Sequence, residues 1–434
     1  MRISPRHGYC VLLFSVFLAR TVFGATDVSD AVTVDTTWSD PVYHVVDSVT
    51  VDPGITLTIS PGTVVKFDYG KFLNVRGTLD AQGTEHDTVY FTDIRDDSLG
   101  GDSNGDGGDT VPGVPWWQGI YVRDGGSALL DRIEVRYSGR YYQYYEPGAV
   151  YKTGAGTLTL TRSTIRNSDR RAIVLNDTDS AHIIEDNLIE GTTQYQAVYL
   201  RDASGNSTIT DNLIVGAATF GIHGRNESVA TMTGNTIRNS GHSGIYLNLD
   251  ATIGNATIEN NTVEDSAYHG IYIQNMAGAV TVSNNTIHGN GNNGIYLSQS
   301  SLPITDNRIY GNAFRGIYLA GAATTPDIFR NDIHDNDIGI QAVGSANPLI
   351  GGSSANANDI HRNTTAGVQN DTETITIDAR FNWWGAASGP YHAGSNPAGQ
   401  GNAVSDWVDY GDYLSDGTMQ LIFSDRFQDG STDS

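Results

Sequence analysis

The chain has 434 residues, 50 of them glycine and only one cysteine, with a formal charge of 25 − 49 = −24. That balance repels nucleic acid and anionic membranes, and a lone cysteine leaves no internal disulfide to hold the chain. The length alone would mean two or three globular domains, but the repeat described below points to one domain that grows along an axis.

Residues 1–24 carry Arg2, Arg6 and His7, then an apolar run from Val11 to Ala19, then Val22 and Gly24 at small-residue spacing. This is the pattern of a secretory signal cut near Gly24 or Ala25, so the mature chain is expected to be secreted, extracellular or periplasmic. Cys10 leaves with it, and three arginines go too, which takes the charge to 22 − 49 = −27. The apolar run is too short to span a bilayer, and no later segment approaches 18 uninterrupted apolar residues, so no membrane span is expected.

Residues 25–48 are expected to lie across one end of the fold as a cap. The stretch 49–84, with short β-branched runs and Gly/Pro corners, then begins the body, which extends to 380. An acidic, glycine-rich loop at 93–113 interrupts it. Within that loop Asp102, Asn104 and Asp106 precede Gly107 at the spacing of the first half of a calcium loop, where alternating oxygens converge on a hard cation. The twelfth position, where a bidentate Glu is expected, holds Gly113; Asp96, Asp97 or Asp109 would have to complete the shell. The candidate metal set is therefore Asp102, Asn104, Asp106 and Asp109, with Ca2+ as the cofactor, against the plainer reading of a solvated acidic loop. Trp116 and Trp117 precede a GIYV strand and are expected to pack structurally. The cluster YSGRYYQYYEPG at 137–148, with Tyr141, Tyr142, Tyr144, Tyr145, Arg140 and Glu146, reads as an exposed contact loop.

Between about 163 and 370 one phrase recurs every 22 to 27 residues: NTIRNSGHSGIYL at 235–247, NTVEDSAYHGIYI at 261–273, NTIHGNGNNGIYL at 285–297 and NRIYGNAFRGIYL at 307–319. In GIYL the residues alternate, so Ile245 and Leu247 take one face and Tyr246 the other. ATIEN, VTVSN, PITDN and TITDN give a second strand per coil, and NTI or NTV a third. Three short strands per coil, cornered by Asn, Asp and Gly, predict an all-β chain forming a single right-handed parallel β-helix of about twelve coils, a rod of roughly 55–60 Å. The variable connector follows GIYL, so insertions are expected at that edge. Asn187, Asn212, Asn235, Asn261, Asn285, Asn307, Asn331 and Asn358 recur at one corner, where Asn tolerates left-handed backbone and stacked amides bond along the axis.

Tyr121, Tyr199, Tyr246, Tyr272, Tyr296 and Tyr318, with His223, take the outward position of the GIYL-type strands. Tyrosine faces pack on sugar C–H faces while the hydroxyls reach polar groups. The alternative is a stacking ladder that serves the sheet alone. The residue before each GIYL forms a second column of Arg171, Gln196, Phe220, Ser243, His269, Asn293 and Arg315, flanked by His242 and Tyr268. His269 or Tyr272 as base with Arg315 as cation would supply the parts of a polysaccharide lyase. The pair of strand-borne acids expected of a glycoside hydrolase is missing, as are GxSxG, HExxH and a phosphate loop.

The stretch 381–414 breaks the repeat with Trp383, Trp384, Pro390, Pro397 and Trp407 and is expected to plug the last coil, leaving 415–434 as a tail. Taken together, the NxI…GIYL coils, the PGTVVKF entry and the NWWG…SGPYH…NP…VSDWV exit resemble bacterial exported right-handed β-helix repeat proteins of the pectin-lyase-like superfamily over about 40–414. The resemblance implies the fold but no single activity, because that superfamily holds lyases, hydrolases, epimerases and binding proteins. The expected partner is a polysaccharide or cell-surface glycan, bound through Tyr246, Tyr272, Tyr296, Tyr318, His269 and Arg315. A carbohydrate-active enzyme and a passive surface rod are the alternatives. The acidic charge argues against unaided capture of polyuronates.

Overall fold

The computed structural model describes residues 24–141, 148–249, 255–276 and 279–417. The expected signal sequence through residue 23, Tyr142, Tyr144, Tyr145, Glu146 and the expected tail from residue 418 lie outside the described residues. The coils stack into three parallel sheets of 14, 13 and 15 strands. The first gathers the NTI segments (Thr236–Arg238, Thr262–Glu264, Thr286–His288, Arg308–Tyr310), the second the GIYL segments (Ile245–Leu249, Ile271–Gln274, Ile295–Ser298, Arg315–Ala320) and the third the TIE segments (Ala256–Glu259, Val280–Ser283, Ile304–Thr305). Thirteen GIYL-sheet strands make about thirteen coils, one more than the repeat alone indicated.

Each strand is too short to stand alone, and its inward residue is buried only by the next coil. Ile237, Val263, Ile287 and Ile309 stack in register in one sheet, and Ile245, Ile271, Ile295 and Ile317 in another, all at 0% exposure. Residues 25–48 already carry coil strands: Thr26–Val28 pairs with Val42–Val45, and Trp38 stacks on Tyr43 at 4.9 Å.

The asparagine ladder forms and runs one rung further than expected, to Asn382. Asn261 Nδ2 donates to Asn285 Oδ1 (3.0 Å), and Asn285 Nδ2 to Asn307 Oδ1 (3.0 Å) and Ile258 O (2.9 Å). The left-handed residue at this corner is not the ladder Asn but the one before it: Asp211, Asn260, Asn284 and Asp306 have φ of 54°, 56°, 56° and 59°. The ladder side chain must point inward, so its neighbour makes the bend.

A second ladder, unforeseen, runs along the corner before GIYL. Asn290, Asn312, Asn336, Asn363 and Asn402 are linked amide to amide at 2.9–3.1 Å.

The two longest insertions do not follow GIYL. They leave the opposite corner, between Val89–Asp93 and Gly119–Val122 and between Ile133–Arg136 and Gly148–Thr153. The connector after GIYL varies in length but stays short. Trp117 is fully buried, stacked on Phe67 at 4.1 Å, while the Arg95 guanidinium lies 3.5 Å from the Trp116 ring. At the far end Trp384 is fully buried against the last coil, where a Cβ on Gly367 would lie 3.1 Å from its ring. Trp407 leaves its ring 51% exposed, and meets the last coil through its carbonyl, which accepts from Ile377 N–H (3.0 Å) and Asn370 Nδ2 (2.9 Å). Among the described residues no helix is long and apolar enough to cross a membrane.

Candidate functional site: an aromatic floor on the GIYL sheet

Register places one outward column through Asn74, Tyr121, Tyr151, Val174, Tyr199, His223, Tyr246, Tyr272, Tyr296, Tyr318 and Gln341. Its environment changes along the rod. Tyr121, Tyr151 and Tyr199 form a buried cluster with Val174, so the first two members of the expected strip serve packing. From Tyr246 to Tyr318 the column is half-buried, and it closes at the buried Gln341. Tyr246 stacks on Tyr272 at 4.9 Å, Tyr272 on Tyr296 at 4.7 Å with parallel rings, and Tyr296 meets Tyr318 at 5.1 Å.

The column before GIYL closes against these rings. His269 sits edge-on to Tyr272 at 5.4 Å and to Tyr296 at 5.1 Å, and the Arg315 guanidinium lies 5.2 Å from the Tyr318 ring. Phe220 stacks on Tyr246 at 4.7 Å and contacts His242, which stacks on the exposed Tyr268 at 4.6 Å. All six residues chosen from the sequence, Tyr246, Tyr272, Tyr296, Tyr318, His269 and Arg315, therefore belong to one aromatic floor. Its rings are spaced by the strand separation, which is near the preferred distance for offset stacking.

Polar groups hold the floor. Gln274 accepts from the Tyr272 hydroxyl (2.5 Å) and donates to that of Tyr246 (2.6 Å). It occupies the second outward position of the strand, two residues after the tyrosine. The repeat phrase ends one residue before that position, so the sequence reading passed over it. In the same column Arg225 is exposed, with no side-chain partner among the described residues. Arg171 Nε donates to Gln196 (2.8 Å), which meets His223 Nδ1 (3.0 Å); at the other end Arg315 Nε donates to Gln341 (2.6 Å), and Gln341 to Asp371 (2.6 Å). On an acidic protein this face is thus bordered by Arg171, Arg225 and Arg315, with Asp371 bound into the far end. The molecular charge does not describe it.

Burial keeps the imidazoles neutral: His269 is held down to about 4, with His242 a smaller cause, and His223 to about 3, with Arg225 and Arg171 adding to it. Burial also pushes Tyr272 up to about 12, the neighbouring phenols Tyr296 and Tyr246 contributing. His269 and Arg315 do not touch. Asn293 lies between them in the column before GIYL, and His269 Nδ1 faces its amide at 3.3 Å.

In the acidic loop Asp97, Asp102 and Asp106 bring carboxylate oxygens within 4.8 Å of one another. Asp109 is not in that group, and Asn104 turns its amide toward Asp106 (2.9 Å). Asp102 and Asp106 also accept backbone N–H bonds from their own loop, from Gly105 and Gly107 and from Gly108 and Thr110. Lys66, fully buried beneath, donates to Gly101 O (2.6 Å) and pins the loop to the rod. Burial pushes the Asp97 carboxyl up, with Asp102 the next cause.

A family model described as "Right handed beta helix region" matches residues 148–302, and one described as "Periplasmic copper-binding protein (NosD)" matches 253–407. Among the described residues, three or more His, Cys, Asp or Glu ligand atoms converge within 4.8 Å only at Asp97, Asp102 and Asp106, which are hard oxygen donors outside the matched segment. No curated protein matches the chain. Among solved structures, a point variant of the periplasmic alginate epimerase AlgG aligns at 13% identity and a TM-score of 0.51, over 72% of this chain and 75% of that one. The A-module of mannuronan C-5 epimerase AlgE4 from Azotobacter vinelandii aligns at 16% and 0.37, over 76% and 84%. A tailspike variant of E. coli bacteriophage HK620, in complex with a pentasaccharide, aligns at 11% and 0.39, over 77% and 63%. At such identities the likeness concerns architecture alone. Three parallel sheets wound coil upon coil and the matched β-helix region make the chain a right-handed parallel β-helix protein.

Proposed function

We propose that this is an exported polysaccharide-binding protein that holds a glycan along the aromatic floor of the GIYL sheet. The observation that carries the reading is the half-exposed run Tyr246, Tyr272, Tyr296 and Tyr318, with the imidazole of His269 closing its side. The partly open edges and faces of these rings can pack on sugar C–H groups, while the phenols and amides meet hydroxyls. Arg225 and Arg315 extend the choice of glycan to acidic chains. Affinity electrophoresis in gels containing neutral and acidic polysaccharides tests this: at least one retards the protein, and Tyr272→Ala and Tyr296→Ala each release it. Mobility unaffected by every glycan would overturn the reading.

A second reading is favoured by one observation, the neutral His269 among phenols two coils from Arg315: a lyase or related carbohydrate-active enzyme with an imidazole base. Ultraviolet absorbance of unsaturated uronates, followed over acidic polysaccharides, decides it; product formation lost in His269→Gln supports it, and silence on all substrates rejects it.

We also propose that calcium binds Asp97, Asp102 and Asp106, where hard oxygens converge, and ties the acidic loop to the rod. Thermal unfolding of wild type should rise with calcium and fall with chelator, and Asp97→Asn with Asp102→Asn should abolish the difference. Equal melting in both conditions rejects the ion, leaving Lys66 as the loop's anchor.

A further inference from the structure

Arg140 and Tyr141, the described part of the tyrosine-rich contact loop, take no part in the aromatic floor. With the same corner of the neighbouring coils they form an alternation of guanidinium groups and rings. We infer that this corner is an anion-binding surface that recognises the sulfate or carboxylate groups of a charged polysaccharide, independently of the floor.

The alternation runs along the corner between the NTI and GIYL sheets. Trp116, which carries the Arg95 guanidinium, meets Tyr69 edge-on at 5.1 Å, and the Arg140 guanidinium lies 3.9 Å from the Tyr69 ring. On the next coil the Arg170 guanidinium stands 4.7 Å from the Tyr141 ring and 5.3 Å from that of Tyr195. Gly139 brings the two coils close at this point. At its φ of 89° a Cβ would stand 3.0 Å from Arg170 N, so only glycine lets the Arg140 segment lie against the Asp169–Arg170 backbone. Tyr69 and Tyr141 are 52% and 53% exposed, and Arg140 and Arg170 are partly exposed beside them.

Pairing decides which of these cations is available. Asp93 accepts from Arg95 Nε at 3.0 and 3.1 Å and neutralises it. The Arg140 and Arg170 side chains have neither a carboxylate partner nor a hydrogen-bond acceptor among the described residues. Asp169, next to Arg170 in the chain, is buried, and its oxygens accept from Gln194 Nε2 (3.0 Å to each) and Thr193 Oγ1 (3.1 Å). A guanidinium held against a ring keeps its N–H edge for an oxyanion, and the ring fixes its plane before a ligand arrives. On a chain of formal charge −24, two unpaired cations on adjacent coils give an anion local attraction. The open surfaces of Tyr69 and Tyr141 take sugar C–H groups, which an inorganic anion lacks.

Affinity electrophoresis of the full chain, run with chelator so that no cation bridges, tests the proposal in gels of dextran sulfate, polygalacturonate and uncharged dextran. Every variant is built on Tyr272→Ala, which removes the floor. The expected result is retardation by at least one charged polymer and none by dextran, weakening as salt rises. Arg140→Gln with Arg170→Gln should weaken that retardation by about fivefold or more. Each single variant should lose part of it and carries the same test if the double variant unfolds. Retardation by dextran sulfate alone assigns the site to sulfate esters, and by polygalacturonate alone to uronates. No retardation in either charged gel overturns the proposal, as does equal retardation in dextran or arginine variants that migrate like their parent. Because the floor is already removed, failure here leaves the floor standing, and failure of the floor leaves this corner.

Discussion

The glycine of GIYL is a packing residue. A Cβ built on Gly270 would stand 2.5 Å from Ile287 Cγ2 and 2.7 Å from Gly294 O, and Gly244 and Gly294 meet the same obstruction from Val263 and Ile309. Gly270→Ala should therefore cost about 1–3 kcal/mol through overpacking, read as a lower midpoint in denaturant. The buried imidazoles make a second residue-scale prediction. His182 accepts from Leu158 N–H at 3.1 Å and is held down to about 4, like His269, with His223 at about 3; burial is the leading cause for all three. A folded pKa below the ordinary 6.5 means that the unfolded chain takes the proton first as pH falls. The stability these groups contribute is complete above about 6.5 and declines between there and about 4. Melting temperature should be level above neutrality and fall through that window, and His223→Phe should reduce the slope. A flat profile from pH 7 to 4 would contradict the assignment.

At the scale of elements, two asparagine ladders brace two of the three corners. Asn285→Ala removes four bonds of 2.9–3.0 Å and leaves the buried Asn261 N–H without its acceptor. That orphan should cost about 1–3 kcal/mol, measured by equilibrium unfolding. The second ladder begins only at Asn290; in the coils before it Ser266 and Ser240 hold the place, and their hydroxyls find no partner. Ser266→Asn should extend the ladder by one rung and raise stability by about 0.5–2 kcal/mol. The first ladder was legible because its Asn opens the recurring phrase. The second was written just as plainly, five residues after Asn285, Asn307, Asn331 and Asn358, but Ser266 and Ser240 broke its column where the phrase is most regular. The left-handed bend was assigned one residue too late, since sequence shows which side chains suit a corner and not which of two adjacent residues turns it.

For the molecule as a whole, strand period and core alternation were readable in the repeat, and the six proposed floor residues do assemble. What sequence could not supply was cover. Tyr121 and Tyr199 occupy the same column as Tyr272, yet they are buried, packed with Tyr151, Val174 and Phe72. Nor could net charge supply the local field, which depends on which few arginines share a face. If an acidic glycan binds the floor, its retardation should weaken with salt and with Arg225→Ala, whereas a neutral glycan should respond to neither.

The ring-to-ring spacing of the floor has one more consequence. Tyr246, Tyr272 and Tyr296 repeat at 4.9 and 4.7 Å, so a polymer laid on them and displaced by one coil would meet rings at the same pitch. Such a track distinguishes ligands by length more than by position. A long chain has several equivalent placements and can shift among them without leaving, while a fragment shorter than the track gains little from any one. Affinity should then climb steeply with the number of sugar units until the track is full and flatten beyond it.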